Sequence, residues 1–373
     1  MKKHKKVYEQ QQIERFFNLL KIFTSLVFAI GIIMIVVFII SSTPGKAFKS
    51  FFIGPIDSPR HIGTIIENMT PLLFTGVATC LLFSSGEVVL GGEGSLFLGA
   101  FITSVVTTKL QLPNGAAYIA VSILASMLGG MIVSAVSIIA KNRFNAEPFV
   151  FSLLFNYIVF YSCNYLLNYK VKDPDYIGIA TYAFANEAKF PPLIKNTSVS
   201  IAFFIGLAMV LLGWFIMYKT KLGYHASLVK NNRNYAINMG VNASKVALIT
   251  TLIGGAIAGL GGCMEMLGKF SRFYWMQGPG YGWDGFMLVT LSNNNPLFIP
   301  FASFFLGYIR TGATVMNIFA DIPYELINAI QAIMVLMIAS RGMFGKLQQR
   351  ITRENAERKL QIREESEESE VAA

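Results

Sequence analysis

Charged side chains are scarce in this chain of 373 residues. Asp, Glu, Lys and Arg make up 14% of it, whereas an ordinary soluble domain carries about 25%. Hydrophobic residues account for 54%, which matches the demand of about ten spans of roughly 20 residues each. This composition excludes a soluble enzyme and a disordered chain. Because the apolar residues form long blocks and do not alternate with polar ones, a porin-type barrel is disfavoured. We therefore predict an all-α polytopic membrane protein with about ten transmembrane helices.

Cysteine and histidine are also scarce. The three cysteines, Cys80, Cys163 and Cys263, lie inside apolar runs without CxxC spacing, and the three histidines are scattered. The sequence therefore predicts neither a disulfide framework nor a metal site. The net charge of +10 is explained by cytoplasmic loops rich in Lys and Arg, so no nucleic-acid partner is predicted.

A phosphate-binding loop is missing from the sequence. A transport ATPase needs the pattern G-x-x-x-x-G-K-[ST] to cradle nucleotide phosphates. The nearest fragment runs from Gly342 to Lys346, has the wrong spacing and is followed by Leu347 instead of Ser or Thr. We therefore predict that the chain is not an enzyme and holds no cofactor, and that any ATP and Mg²⁺ would be used by a partner subunit.

Ten apolar segments follow one another along the chain. The first follows a basic N-terminus and lacks a small-residue cleavage site, which indicates a membrane span and not a signal peptide. Two segments are short and interrupted by glycine, the third and the eighth. The predicted spans are 19–40, 63–83, 96–107, 116–140, 149–167, 199–217, 246–267, 285–291, 297–319 and 324–339.

The distribution of basic residues predicts the orientation. Of the 31 Lys and Arg residues, 20 lie in four segments, 1–21, 141–147, 219–245 and 341–373. Cytoplasmic loops carry an excess of Lys and Arg, so both termini are predicted to be cytoplasmic. The predicted organisation is a cytoplasmic segment 1–18, a transmembrane domain 19–340 and a cytoplasmic charged tail 341–373.

Two glycine-rich stretches, 84–94 and 278–285, interrupt the apolar pattern. Backbone leaves a helix at membrane depth only beside protein or a cavity, and paired broken segments point to a substrate path. Both stretches contain carboxylates, Glu87 and Glu93 in the first and Asp284 in the second. A carboxylate inside a membrane is costly and therefore marks a candidate functional site. The alternative is that Glu87 and Asp284 lie at span ends in water.

Other polar and aromatic residues extend this interpretation. Glu67 and Asn68, in the second span, would face the interior of the bundle, either along the path or in interhelical hydrogen bonds. Asn328 shares one stripe of the last span with a Glu and a Gln three residues away on each side. Trp283 belongs to an aromatic group beside the second stretch, which is either an interfacial belt or a stacking wall for a ring-shaped ligand. The candidate substrate-path residues are Glu67, Asn68, Glu93, Trp283, Asp284 and Asn328.

Two further features concern packing and docking. Gly255 and Gly259 form a G-x-x-x-G pattern on the seventh span, which lets another helix approach closely. The loop 219–245 is predicted to be cytoplasmic, yet it contains apolar residues at positions 235, 237 and 239. A short helix here would dock on a cytoplasmic motor, or alternatively lie along the membrane face.

Three segments resemble a known family. Residues 90–100 resemble its "N-I-G-x-E-G-Q-x-x-x-G" stretch, and residues 231–245, which lead into the glycines of 254–262, resemble its "N-x-x-A-A-x-x-x-G-I-N" loop. The most specific segment begins at 280–285 and continues at 294–297 and 307–312, and it is similar to "G-Y-G-F-D-G … N-N-P-L … G-x-x-R-x-G". Over residues 60–342 the chain resembles the permease subunits of bacterial ABC importers, in the branch that serves nucleosides, simple sugars and riboflavin.

The sequence departs from the family pattern at several positions. Val89 stands where Asn is common, Ser95 stands where the family has Gln, and Asn234-Tyr235-Ala236 replaces a stretch with two small residues. If these positions touch the solute, the ligand differs from a standard nucleoside.

The resemblance implies a multi-pass importer subunit in the bacterial plasma membrane, most simply for nucleosides or related small solutes. Its partners would be cytoplasmic ABC ATPase subunits, a second permease subunit of the same or a sibling chain, an extracytoplasmic substrate-binding protein or lipoprotein, and membrane lipid. The loop 219–245 would hold the coupling helix, and its contacts with the ATPase would involve Asn238, Met239, Gly240 and Val241.

Several alternatives stay open. An ABC permease for simple sugars or riboflavin would share these motifs, and import as opposed to export rests on the family analogy. An ion-coupled secondary transporter would use Glu67, Glu93 or Glu325 as its ion site and need no ATPase. A membrane enzyme would need clustered His and carboxylates, and the sequence has no such cluster.

Overall fold

The computed structural model describes residues 43–194 and 197–320, together with Gly31, Ile35 and Phe38. Residues Gly45–Ala320 form one compact unit. A second unit comprises Met1–Pro44 and Asp321–Ala373, and almost all of it lies outside the described residues. The predicted spans 19–40 and 324–339, the charged tail and Asn328 therefore stay predictions.

The described part of the chain is built from helices. It contains eleven α-helices, short 3₁₀ turns, one π-turn (Leu167–Val171) that extends α5, and a single isolated bridge between Lys172 and Thr181. The α-helices are α1 (Pro44–Phe52), α2 (Pro59–Leu82), α3 (Gly92–Lys109), α4 (Gly115–Phe144), α5 (Pro148–Leu166), α6 (Ala202–Lys219), α7 (Lys221–Asn231), α8 (Arg233–Asn238), α9 (Ala243–Gly268), α10 (Tyr281–Leu291) and α11 (Ile299–Phe319).

Eight of the predicted spans coincide with α2 to α6 and α9 to α11. Five described helices are long and apolar enough to cross a membrane: α2, α4, α5 with its extension to Val171, α6 and α9. The prediction of an all-α polytopic membrane protein is confirmed.

Side chains in the connecting segments cap the helix ends. Ser58 accepts a hydrogen bond from the His61 amide at the start of α2 (3.2 Å). Asn114 and Asn242 do the same at the starts of α4 and α9. These oxygens bind amides that have no partner in the first helical turn.

Helix α9 packs against α2, α3 and α4, and glycine makes this packing possible. A Cβ atom added at Gly255 would lie 2.6 Å from the side chain of Ser134 on α4. A Cβ atom added at Gly259 would collide with the backbone of α4. A Cβ atom at Gly262 would meet the carbonyl of Leu96 on α3. The small face of α9 therefore lets three backbones approach one another closely.

Two sets of loops lie at opposite ends of the long helices. The end that carries α7 and α8, which we call the α7 face, also holds the C-terminal ends of α2, α4 and α6. The other end, which we call the loop face, holds segments 172–194, 197–200 and 269–275. Here Arg272 forms an ion pair with Asp173 and donates a hydrogen bond to the Thr181 carbonyl (3.0 Å). The hydrogen bond from Arg272 lowers the pKa of Asp173 below its ordinary value, because it stabilises the charged carboxylate.

Candidate functional site: two glycine-rich breaks that meet inside the bundle

The first glycine-rich stretch leaves the helix between α2 and α3. Its backbone is bound by α5: the Leu90 amide donates to Ser152 Oγ (2.9 Å), and the Leu90 carbonyl accepts from Asn156 Nδ2 (2.9 Å). Asn156 Oδ1 also accepts from the amide of Gly94 (3.1 Å). Since Asn156 lies more than two turns inside α5, this break is buried in the bundle, where α5 side chains satisfy backbone groups that water would otherwise bind.

The second stretch re-enters the bundle from the loop face. After α9 ends, the chain passes along α3, where the Phe273 ring contacts Phe97 and Phe101 (centroids 5.4 and 5.5 Å apart). It then turns at Gly280, whose φ of +86° suits glycine. Helix α10 begins at the next residue and has only 11 residues, about 16 Å at 1.5 Å per residue. It is therefore a half-helix that begins in the interior.

Glu93 joins the two breaks. It lies in the first turn of α3, is 6% exposed, and its carboxylate accepts hydrogen bonds from the amides of Gly280 (2.7 Å) and Gly282. Helix N-termini carry unpaired amides and a partial positive charge, and both favour an anion. A Cβ atom at Gly282 would lie 2.6 Å from the Glu93 Cβ, so glycine is what allows this approach. Glu93 therefore caps α10.

Asp284 forms a buried ion pair with Arg310 in the same region. Its carboxylate accepts from Arg310 Nη2 of α11 at 2.6 Å, and both side chains are mostly buried. The guanidinium also lies over the Tyr281 ring, 5.9 Å from its centroid. The alternative that Asp284 lies at a span end in water does not hold. This ion pair ties α10 to α11.

A second polar group lies nearer the loop face. Glu265 accepts a hydrogen bond from the Tyr281 hydroxyl (3.2 Å) and pairs with Lys269 one helical turn away (3.7 Å), as residues at i and i+4 of a helix can. Glu67 accepts from the Ser198 amide (2.5 Å). A polar cavity of about 10 Å³ separates Glu67 from Glu265, room for a single water molecule.

The remaining predicted path residues differ in their surroundings. Asn68 donates to Thr311 Oγ1 of α11 (3.3 Å). This is an interhelical hydrogen bond, the second of the two roles that the sequence left open for Asn68. Trp283 is 52% exposed, whereas Phe273 and Trp275 are buried in the core. The aromatic group is thus divided, and Trp283 and Tyr274 are the members with exposed rings.

Sequence reasoning missed two contacts that connect the breaks to the α7 face. Glu87 of the first break forms ion pairs with Lys141 at the end of α4 and with Arg233 of α8 (3.4 Å). In the turn after α10, the side-chain oxygen of Asn294 accepts a hydrogen bond from Lys230 Nζ of α7 (3.0 Å), in the amide orientation that gives both Asn294 polar atoms a partner. Opposite charges in loops predict ion pairs in general, but nothing in the spacing indicates these partners.

Helix α8 ends in a Schellman motif. The Gly240 amide donates to the Ile237 carbonyl (2.9 Å), and the Val241 amide donates to the Ala236 carbonyl (2.9 Å). Gly240 has a φ of +81° with open space around it, which is the usual conformation after a helix end. Asn238, the last residue of α8, is exposed, as is Met239, whereas Val241 packs against a small apolar cluster beneath α7 and α8.

The sequence matches a family described as "branched-chain amino acid transport system / permease component" over residues 62–339. A glucose ABC transporter permease protein of Haloferax volcanii is 25% identical over 81% of this chain and 82% of its own. A guanosine ABC transporter permease protein of Bacillus subtilis is 27% identical over 82% and 89%. A nucleoside ABC transporter permease protein of Lactococcus lactis is 23% identical over 84% and 87%. No solved structure matches the chain. The chain belongs to this permease-component family and is a permease component of an ABC transporter.

Proposed function

We propose that this chain is the transmembrane permease subunit of an ATP-driven importer in a bacterial plasma membrane, with both termini in the cytoplasm. The observation that carries the proposal is the meeting of two glycine-rich breaks at Glu93 inside the bundle. Broken helices at membrane depth accompany substrate sites in transporters. The half-helix α10 is joined at one end to α3 and at the other, through Asn294, to α7.

Nucleosides or related small solutes are the proposed cargo. Two of the relatives reported above are named for guanosine or nucleosides, and the family motifs of the nucleoside and sugar branch support the same class. A relative named for glucose makes simple sugars the second candidate. Riboflavin is a third candidate, which rests on the family resemblance alone.

The α7 face is the proposed docking surface for the ATPase subunits, which would supply ATP and Mg²⁺ chemistry. Tyr235, Ile237 and Met239 are exposed on or beside α8, in a segment that we predict to be cytoplasmic. Exposed apolar side chains rimmed by polar ones are typical of protein contacts. Asn238, Met239 and Gly240 would touch the ATPase, while Val241 would support them from below.

Docking can be tested at Gly240. Proline cannot adopt the positive φ found there and has no amide for the hydrogen bond to Ile237, so Gly240→Pro should abolish co-purification of the ATPase while membrane insertion persists. Gly240→Ala is the matched control. Its Cβ meets open space, so only the cost of the positive φ remains, about 1 kcal/mol, and docking should weaken but persist. Normal ATPase recovery with Gly240→Pro would contradict the docking surface.

The remaining partners would bind elsewhere. The loop face would meet the extracytoplasmic binding protein, and a second permease chain would complete the pathway. Among the path residues, Glu93 and Asp284 would position α10, and Glu67 and Asn68 would tie α2 to its neighbours. Trp283 is exposed and would meet the solute. Asn328 stays a candidate for the path.

The decisive experiment is uptake of a labelled nucleoside by cells that lack the gene and by complemented cells. Unlabelled nucleosides, ribose-type sugars and riboflavin serve as competitors. We expect uptake to fall in the deletion strain and only nucleosides to compete; unchanged uptake would reject the cargo. Uptake that survives loss of every ATPase partner and collapses with an uncoupler would reject the ABC mechanism in favour of ion coupling.

A further inference from the structure

One helix face combines exposure with polar side chains. Helix α5 and its extension present Tyr157, Tyr161, Tyr165 and Tyr169 at intervals of four residues, which places them on one side of the helix. Their exposed fractions are 55%, 71%, 59% and 74%. We call this surface the tyrosine face. The opposite side of α5 holds Ser152 and Asn156, which bind the first break.

Other long helices present a different outer surface. The exposed side chains of α4 include Leu124, Leu128 and Ile132, and those of α6 include Phe204 and Leu211. The serines of α4 are buried. This arrangement is the one expected for helices that face lipid. On α5 the same side also exposes Leu154 and Ile158 (60% and 57%), so the tyrosine hydroxyls interrupt an otherwise apolar surface.

Lipid is a poor partner for the middle of the tyrosine face. Tyrosine is favoured at the membrane surface, where its hydroxyl reaches water. Tyr157 and Tyr161, however, lie near the centre of the 24 residues of α5 and its extension. Within the described part of the chain, no hydrogen-bond partner is found for the hydroxyls of the four tyrosines. A hydroxyl in hydrocarbon without a partner is unfavourable, so these side chains are suited to an aqueous or ligand-filled space.

The second break adjoins this helix. Gly278 packs against the Phe160 ring, since a Cβ atom at Gly278 would lie 2.7 Å from that ring. Asn164 Nδ2 donates a hydrogen bond to the Met276 carbonyl (2.5 Å). The Asn164 Oδ1 atom is buried and has no partner. Met276 and Trp283, which precede and begin α10, are exposed. Irregular backbone at membrane depth needs either protein or a water-filled cavity beside it.

We propose that Tyr157, Tyr161, Tyr165 and Trp283 form one wall of the solute path and that their rings stack on a flat heteroaromatic base or a sugar ring. Aromatic faces bind such rings with little regard to their substituents. This inference rests on the proposed function and names the part of the chain that contacts the cargo.

The first test asks whether water reaches the tyrosine face. Tyr161→Cys is expressed with its partner subunits and treated with a charged, membrane-impermeant thiol reagent. The native cysteines are buried and can stay in place. Leu128→Cys on α4, at an exposed position on the apolar outer surface described above, is the matched control. We expect Tyr161→Cys to react at least about 10-fold faster, because the thiolate is the reactive form and does not form in lipid, and saturating nucleoside to slow it.

Equally slow reaction at both positions would overturn the inference, whether lipid or a tightly packed protein covers the tyrosine face. If wild-type cells take up a nucleoside and Tyr161→Cys does not react, the inference fails alone. If the wild type carries another solute and that solute protects the cysteine, the path assignment is supported, while the nucleoside proposal fails.

The second test asks whether the rings stack on the cargo. Tyr161→Phe keeps the ring and should change the KM for uptake by less than about 2-fold, whereas Tyr161→Leu should raise it by about 5-fold or more, the scale of one lost stacking contact. Phe215→Leu removes an exposed ring from α6 and should leave KM unchanged. Equal KM values for Tyr161→Phe and Tyr161→Leu would overturn the stacking role.

Discussion

The two glycine-rich breaks look alike in sequence, but they contribute different groups to the contact between them. Both combine glycines with carboxylates. The first provides the carboxyl group of Glu93, and its own backbone is bound by α5. The second provides the amides of Gly280 and Gly282, which donate to that carboxyl group, and its own Asp284 pairs with Arg310. Paired breaks in a transporter can therefore be the two halves of one contact instead of two separate sites.

The largest effect should come from the second break. Asp284→Asn removes the carboxylate that pairs with the mostly buried Arg310 guanidinium, and breaking a buried pair costs about 3–5 kcal/mol. We expect a lower unfolding midpoint in detergent and loss of uptake. The double variant Asp284→Asn with Arg310→Met should recover much of the stability, because both charges of this pair are then removed. If the single variant is as stable as the wild type, α10 is not tied to α11 by this pair.

The junction of the breaks should give the next largest effect. Glu93→Gln keeps the shape but replaces one accepting oxygen with an amide group that faces a backbone donor. Leaving a buried donor unsatisfied costs about 1–3 kcal/mol, so uptake should fall while the chain still inserts. Thr107→Val, on the same helix, is the matched control, because its buried hydroxyl bonds carbonyls of α3 itself, and it should change uptake less. Wild-type uptake with Glu93→Gln would show that the two breaks do not depend on this contact.

A smaller effect is expected at the outer part of the first break. Glu87 pairs with Lys141 and Arg233; Arg233 is well exposed, whereas Glu87 and Lys141 are partly buried. The contribution to stability should therefore lie between that of a surface pair, about 1 kcal/mol, and that of a buried pair. Glu87→Gln should lower the unfolding midpoint less than Asp284→Asn does and reduce the ATPase activity that solute stimulates in the assembled transporter. Unchanged stimulation would mean that the first break does not communicate with α8.

The smallest effect concerns the entry to the second break. Because the pKa of Asp173 is lowered by Arg272, the carboxylate stabilises the loop face above the ordinary aspartate pKa of about 3.9. That stabilisation should be lost as the pH falls through the lowered pKa. Proteolysis of the loop 172–200 should therefore be constant from neutral pH to about pH 5 and increase at lower pH. Asp173→Asn should remove this dependence, and a pH profile identical to the wild type would contradict it.

The local hydropathy pattern of the sequence was sufficient to locate eight of the helices. Eight apolar segments predicted eight helices, and the capping residues Ser58, Asn114 and Asn242 mark where three of them begin. The pattern also indicated the breaks and Glu93 within them. It did not indicate that Glu93 would bind backbone amides nearly 190 residues away in the chain, because spacing carries information only over the few residues that share a helix turn.

The sequence by itself determined the membrane class, the positions of the helices and the family, because hydropathy and short motifs depend on neighbouring residues. Only the tertiary structure decided what each polar residue faces. Glu93, Asp284 and Asn68 bind other parts of the bundle, while Trp283 and the tyrosines of α5 are left exposed. The physical reason is that the partner of a buried charge or an exposed ring is chosen by packing between segments far apart in the chain, and side-chain type alone does not specify that packing.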